Sequence, residues 1–168
     1  MQDGVKVLVI DDEPDSIKLV GLVLHRHRGD EVVGADGGLA GIAKAQEVMP
    51  ELIVLDLMMP VLDGYQVYSR LRSLPGLEST PILFVGAREP ELVYPPAQSL
   101  GAMGYLYEPY GPQQLLAARD AALSGNLYYP PPEHPAQRDC SLGSVALLIA
   151  AIALDALLVF IIRTILAP

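Results

Sequence analysis

Three aspartates are the residues from which chemistry could be built. Asp11 and Asp12 follow the apolar run VKVLVI (5–10), and Asp56 ends the apolar run LIVLD (52–56). Acids at the ends of two buried strands can meet in the crevice outside the carboxyl edge of a sheet. Three converging carboxylates make a hard, oxygen-rich site. That suits Mg²⁺, which takes a few carboxylates and keeps several waters. Without a cation the charges would repel and raise one another's pKa. The alternative is structural, since Asp12 or Glu13 before Pro14 could cap a helix. Two acids after one strand together with a third ending another is a more specific pattern than either alone.

These acids need a scaffold, and the chain alternates strand and helix. VKVLVI (5–10), EVVGA (31–35), LIVLD (52–56), PILFV (81–85) and GYLY (104–107) read as strands. Residues 14–27, 38–49, 64–73 and 112–124 read as helices, with Ile17, Val20 and Leu24 on one face of the first. Pro14 suits a first helical turn. A weaker helix lies near 89–100, where Pro90, Pro95 and Pro96 predict shortening or rebuilding as a loop. Five βα units with apolar central strands imply a parallel sheet covered on both faces.

With these elements placed, residues 4–124 resemble a response-regulator receiver domain, the phospho-acceptor module of two-component signalling. VLVIDDEP resembles the family's first strand and acidic pair, and LIVLDLMMPVLDG its phospho-acceptor loop. PILFVGA and GAMGYLYEP resemble its fourth and fifth strand motifs. The resemblance implies an α/β, flavodoxin-like (βα)₅ doubly wound parallel sheet. It implies that Asp56 is the phosphoryl acceptor, and that Asp11, Asp12, Asp56 and the backbone carbonyl of Met58 hold Mg²⁺. It implies that Tyr105 is the aromatic switch residue, and that a histidine kinase is a partner.

Two positions depart from the family pattern. Gly86, in FVGAR, stands where the family carries a Thr or Ser whose hydroxyl bonds the phosphoryl oxygen. Glu108, in YLYEPY, stands where it carries a Lys that pairs with the phosphoryl group, and the adjacent Pro109 still matches. Phosphoryl transfer relies on positioning and charge stabilisation. At about 4 Å and an effective dielectric of about 20, one charge pair is worth on the order of 4 kcal/mol. Exchanging Lys for Glu replaces that attraction with a repulsion of similar size. A fourth carboxylate could instead favour lasting divalent-cation binding, or swing out to solvent. Tyr94, Tyr105, Tyr107 and Tyr110 are expected either to form a contact patch or to be ordinary, partly buried tyrosines.

The rest of the chain bears on location. The formal net charge of −9 over 168 residues does not invite nucleic acid. A single cysteine, Cys140, excludes an intrachain disulfide and a cysteine-based zinc cage. Residues 125–141 read as a linker stiffened by Pro130, Pro131, Pro132 and Pro135. Residues 142–162 are apolar except for Asp155. A helix of that length spans about 31 Å, close to a bilayer's hydrocarbon core. A single transmembrane helix is therefore expected over 142–166. With no secretory signal at the start, it predicts a C-terminal, single-pass anchor with the N-terminal domain in the cytoplasm. Arg138 and Arg163 flank the span too evenly to orient it.

Asp155 near mid-span is costly in lipid. Together with the small residues Gly143, Ala146, Ala150 and Ala153 it predicts packing against an integral membrane protein. A lone anchor with a neutral Asp155 is the alternative. Only about 43 residues follow the receiver-like part, and they are linker and anchor. The leading expectation is a membrane-anchored, degenerate receiver, not an enzyme, that serves as an interaction or accessory subunit of a membrane complex. The alternatives are a working regulator phosphorylated on Asp56, with output at the membrane, and a membrane-localised divalent-cation sensor.

Overall fold

A computed structural model describes residues 4–131. In chain order the elements are β1 (Lys6–Asp11), α1 (Pro14–Arg28), β2 (Glu31–Asp36), α2 (Gly38–Val48) and β3 (Leu52–Asp56). They continue with α3 (Gly64–Arg72), β4 (Ile82–Gly86), α4 (Pro90–Leu100), β5 (Gly104–Tyr107) and α5 (Pro112–Leu123). Every strand and helix expected within residues 4–124 is present, with ends shifted by a residue or so. The sheet order is β2-β1-β3-β4-β5, and each neighbouring pair is parallel. The chain leaves β1 for β2 on one side and returns to β3 on the other. The crevice of a doubly wound sheet opens at that reversal, so the ends of β1 and β3 are where a site is expected.

Successive strand residues point to opposite faces, and this alternation divides the core in two. Leu8, Ile10, Ile53, Leu55, Ile82, Phe84 and Tyr105 face a layer that includes α2, α3 and α4. Val7, Val9, Leu52, Val54, Leu83, Val85 and Leu106 face α1 and α5. Both faces of the central strands are covered, which explains why those runs are apolar throughout rather than alternating.

The expected shortening of the fourth helix, or its rebuilding as a loop, is corrected, because α4 runs for 11 residues with Pro95 and Pro96 inside it. Its buried face is Pro90, Val93 and Ala97, while both internal prolines are exposed. The carbonyls that lose a helical donor, four residues earlier at Glu91 and Leu92, therefore lie on the wet side, where water replaces the bond. Pro90 costs nothing at the first turn. Gly101, left-handed at φ 82°, closes the helix with its N–H on the carbonyls of Ala97 and Gln98.

The packed unit continues past residue 124 to Pro131. Tyr128 bridges in parallel to Gly104 on the free edge of β5, and Tyr129 packs on the core. These residues, expected as the start of a linker, hold to the domain because their tyrosines have apolar ground to cover. The remainder of that linker, the expected span 142–166, and Asp155, Gly143, Ala146, Ala150 and Ala153 lie outside the described residues. Among the described residues no helix is long and apolar enough to cross a membrane.

Candidate functional site

The three aspartates do converge. Asp11, Asp12 and Asp56 each place a carboxylate oxygen so that all three lie within 4.8 Å of one another. Asp11 is buried, and the other two are half-buried. The β1–β3 pairing fixes this, since Ile10 stands beside Leu55 and the next residue on each strand is an acid. Asp11 accepts a hydrogen bond from the Glu13 N–H at 2.7 Å, and Asp56 accepts from the Met58 N–H at 3.0 Å. Glu13 is the N-cap of α1 but makes no side-chain cap bond. Asp11 and Asp12 are turned into the crevice, while Glu13 is exposed and accepts from the Ser16 hydroxyl at 3.3 Å.

The fourth carboxylate stands outside that cluster but within reach of its charges. Glu108 is half-buried, and its charge acts on Asp56, Tyr105 and Tyr110. Burial pushes the Asp11 carboxyl up to about 6; the Glu13 N–H bond opposes this, and the charges of Asp56, Asp12 and Glu13 add to it. Asp56 is raised first by burial, against its bond from Met58, and then by Glu108 and Asp12. Glu108 is raised by burial and by the charges of Asp11 and Glu13. Among the described residues no Lys, Arg or His forms an ion pair with Asp11, Asp12, Asp56 or Glu108.

The donor set fits a divalent cation. It offers three hard carboxylate ligands on one small locus and a buried charge without a counter-ion. Asp11, Asp12 and Asp56 would hold the ion, which would supply charge neutralisation at Asp56. Met58 is tied to Asp56 through its backbone.

The region of Gly86 is open enough for a side chain but shaped for glycine. A Cβ there would lie 3.5 Å from Asp56 Oδ1 and 3.6 Å from the Tyr105 hydroxyl, both ordinary contacts. Its φ of +150° is a conformation that other residues rarely adopt. Tyr105 is wholly buried, and its hydroxyl donates to the carbonyl oxygens of Gly86 and Arg88, 2.7 Å from each. The link between this position and Tyr105 thus runs through the backbone, where the family pattern has a side-chain hydroxyl.

The tyrosine patch resolves towards burial. Tyr105 is inside, Tyr94 and Tyr110 are half-buried, and only Tyr107 is substantially exposed, at 38%. Tyr110 faces the acidic site, and its hydroxyl is raised by burial and by the charges of Glu108, Asp11 and Asp56.

Two contributors escaped the sequence reading. Glu13 adds its charge to both Asp11 and Glu108; the run DDEP could have signalled it. Arg88 lines a cavity of about 360 Å³ with Met58, Met59, Asp63 and Tyr65, among others, beside the loop that follows Asp56. Its position two residues past Gly86 was the available clue.

Comparison with known proteins agrees with this geometry. The model of the response regulator receiver domain matches residues 7–120. Protein PilG of Pseudomonas aeruginosa is 32% identical over 116 residues, covering 69% of this chain and 85% of that protein. The alkaline phosphatase synthesis transcriptional regulatory protein PhoP of Bacillus subtilis is 36% identical over 118 residues, 70% of this chain and 48% of that protein. The chain spans 59% of the length of other curated regulators that it matches. The chemotaxis response regulator CheY4 of Vibrio cholerae has a similar solved structure, with 31% identity and a TM-score of 0.66 over 71% of this chain and 98% of that one.

Proposed function

This chain belongs to the response regulator receiver family, and we propose that it is a degenerate member that works by protein interaction rather than by the family's phosphoryl switch. One observation carries this reading. Glu108 puts a half-buried carboxylate beside Asp56, at the position where a cation would have to meet a phosphoryl group. A phosphoryl group on Asp56 would bring more negative charge into a site already crowded with Asp11, Asp12 and Glu108. No basic side chain forms an ion pair with these acids among the described residues to offset it. A bound Mg²⁺ relieves the carboxylates and is the expected resting ligand.

The interaction role is that of an accessory subunit held at a membrane assembly by the span at 142–166, with this domain on the cytoplasmic side. It rests on the apolar composition of 142–162. Carbonate extraction of the full chain checks it, and recovery of the intact protein in the soluble fraction would sink the anchor.

The switch is tested by acetyl phosphate labelling with Mg²⁺. The wild-type chain is expected to remain unlabelled. Glu108→Lys is expected to gain labelling, which Asp56→Asn then removes. Saturable, Asp56-dependent labelling of the wild-type chain would overturn the degenerate reading.

A second reading has its own observation. Arg88 makes no ion pair among the described residues and lies along the loop after Asp56. It could supply the cation that position 108 lacks. The chain would then be a working regulator, phosphorylated by a histidine kinase, and Arg88→Ala would abolish the wild-type labelling.

A further inference from the structure

A line of tyrosines connects the acidic site to the point where the chain leaves the domain. It begins at Tyr105, whose hydroxyl is held by the carbonyls of Gly86 and Arg88, on the loop beside Asp56. The Tyr105 ring meets Tyr94 edge-on, with centroids 6.1 Å apart. Tyr94 in turn meets Tyr129 edge-on at 5.0 Å, and its hydroxyl donates to the Pro130 carbonyl. Tyr129 donates to the Ala102 carbonyl at 2.8 Å.

The backbone of this segment is paired as well. Tyr105 N–H donates to Tyr128 O at 3.0 Å, and Tyr128 N–H donates to Met103 O at 2.8 Å. The segment thus lies as an added parallel edge on β5. Gly104 is shaped for it, because a Cβ there would come within 2.4 Å of Tyr128 O and 2.9 Å of Tyr128 Cβ. No ordinary side chain at 104 leaves room for the segment where it lies.

We propose that residues 126–131 form a clasp on the edge of β5, and that its hold is coupled to the acidic site through Tyr105 and Tyr94. The short edge contributes two backbone bonds, so much of its hold must come from the rings and from the Tyr94 and Tyr129 hydroxyls. Those rings rest on Tyr105, whose position depends on the carbonyls it finds on the β4–α4 loop. A buried tyrosine hydroxyl that loses its acceptors is costly. A change in that loop therefore moves Tyr105 rather than leaving it in place, and the clasp feels the movement. The site's condition is in this way reported at the exit towards residues 132–168. The inference does not depend on whether Asp56 meets a cation or a phosphoryl group.

Hydrogen–deuterium exchange on the full chain tests it, comparing peptides covering 126–131 with peptides from β1 and β3 as monitors of global opening. Tyr94→Phe removes the bond to Pro130 and should speed exchange over 126–131 about three- to tenfold, with β1 and β3 unchanged. Gly104→Ala should do the same by displacing the clasp. Tyr105→Phe is the decisive variant, because the hydroxyl it removes touches Gly86 and Arg88 and none of residues 126–131. Faster exchange over 126–131 in Tyr105→Phe, with β1 and β3 unchanged, supports the coupling. Unchanged exchange there, while Tyr94→Phe opens the segment, would leave a clasp without a connection to the site and overturn the coupling. No local change in either Tyr94→Phe or Gly104→Ala would overturn the clasp itself.

Discussion

The two edges of the sheet carry acids of opposite fates. At the carboxyl edge Asp11, Asp12 and Asp56 stand together within reach of the Glu108 charge, and none of the four forms an ion pair with a base among the described residues. At the amino edge Asp30 is wholly buried and answered on every side. It takes the Nε and Nη2 of Arg119 at 2.9 and 2.5 Å and the Val5 N–H at 3.0 Å. Arg119 also reaches Asp120, which is gripped by Arg28 at 2.6 Å. Asp11, Asp56 and Glu108 are raised by burial and by neighbouring charges, whereas Asp120 is lowered by its hydrogen bond from Arg28. A buried carboxylate with its partners in place ties α5 to the loop before β2. A group of carboxylates with no basic counter-ion among the described residues is suited to take up a cation.

The largest expected effect comes from breaking the satisfied edge. Asp30→Asn leaves the Arg119 guanidinium buried against a neutral amide. Stability should fall by about 3–5 kcal/mol, the usual cost of removing one member of a buried pair. Urea unfolding of the full chain followed by tyrosine absorbance measures it. A loss under about 1 kcal/mol would mean that water reaches Arg119 and that the pair behaves as an exposed one.

The same chemical change at the other edge should have the opposite sign. Asp11→Asn removes a buried charge that forms no ion pair among the described residues and keeps an oxygen for the Glu13 N–H. In metal-free buffer near neutral pH it should stabilise the chain, on the order of 1–2 kcal/mol. That is less than a full conversion of the Asp11 shift, because the crevice opens to screening solvent. Added Mg²⁺ should raise the wild-type melting temperature and lose most of that effect in Asp11→Asn. A destabilised Asp11→Asn protein, or one that Mg²⁺ protects as well as wild type, would mean that the Asp11 charge is already offset in the folded chain and does not hold the ion.

The sequence showed one of these edges much better than the other. Asp11, Asp12 and Asp56 follow apolar runs directly, so parallel pairing alone brings them together. Glu108 was legible because Pro109 holds its place in the fifth-strand motif. The Asp30–Arg119 pair was not, since 89 residues separate its members and nothing local marks either one as buried. The helix at 90–100 was misjudged because proline's cost was counted without knowing which face is wet. The docking of 126–131 was missed because the run Tyr-Tyr-Pro reads as linker until an open edge with a glycine at 104 is in view.

The smallest expected effect lies at the rim of the satisfied edge, where pH distinguishes it from the site. Asp120 is held below the ordinary aspartate value by Arg28 first and Arg119 after it, with partial burial opposing. A carboxyl lowered on folding contributes stability that is present above the unfolded value of about 3.9 and lost as pH falls through the lowered one. Asp120→Asn should therefore cost less than about 1 kcal/mol at neutral pH, because its pairs with Arg28 and Arg119 are open to water on one side. It should also flatten part of the acid limb of the stability profile below about pH 4. Unfolding midpoints between pH 3 and pH 7 for wild type and variant would show the two curves converging at the acid end. Curves that remain parallel down to pH 3 would mean that Asp120 titrates alike in the folded and unfolded chain, and that the Arg28 contact contributes geometry without stability.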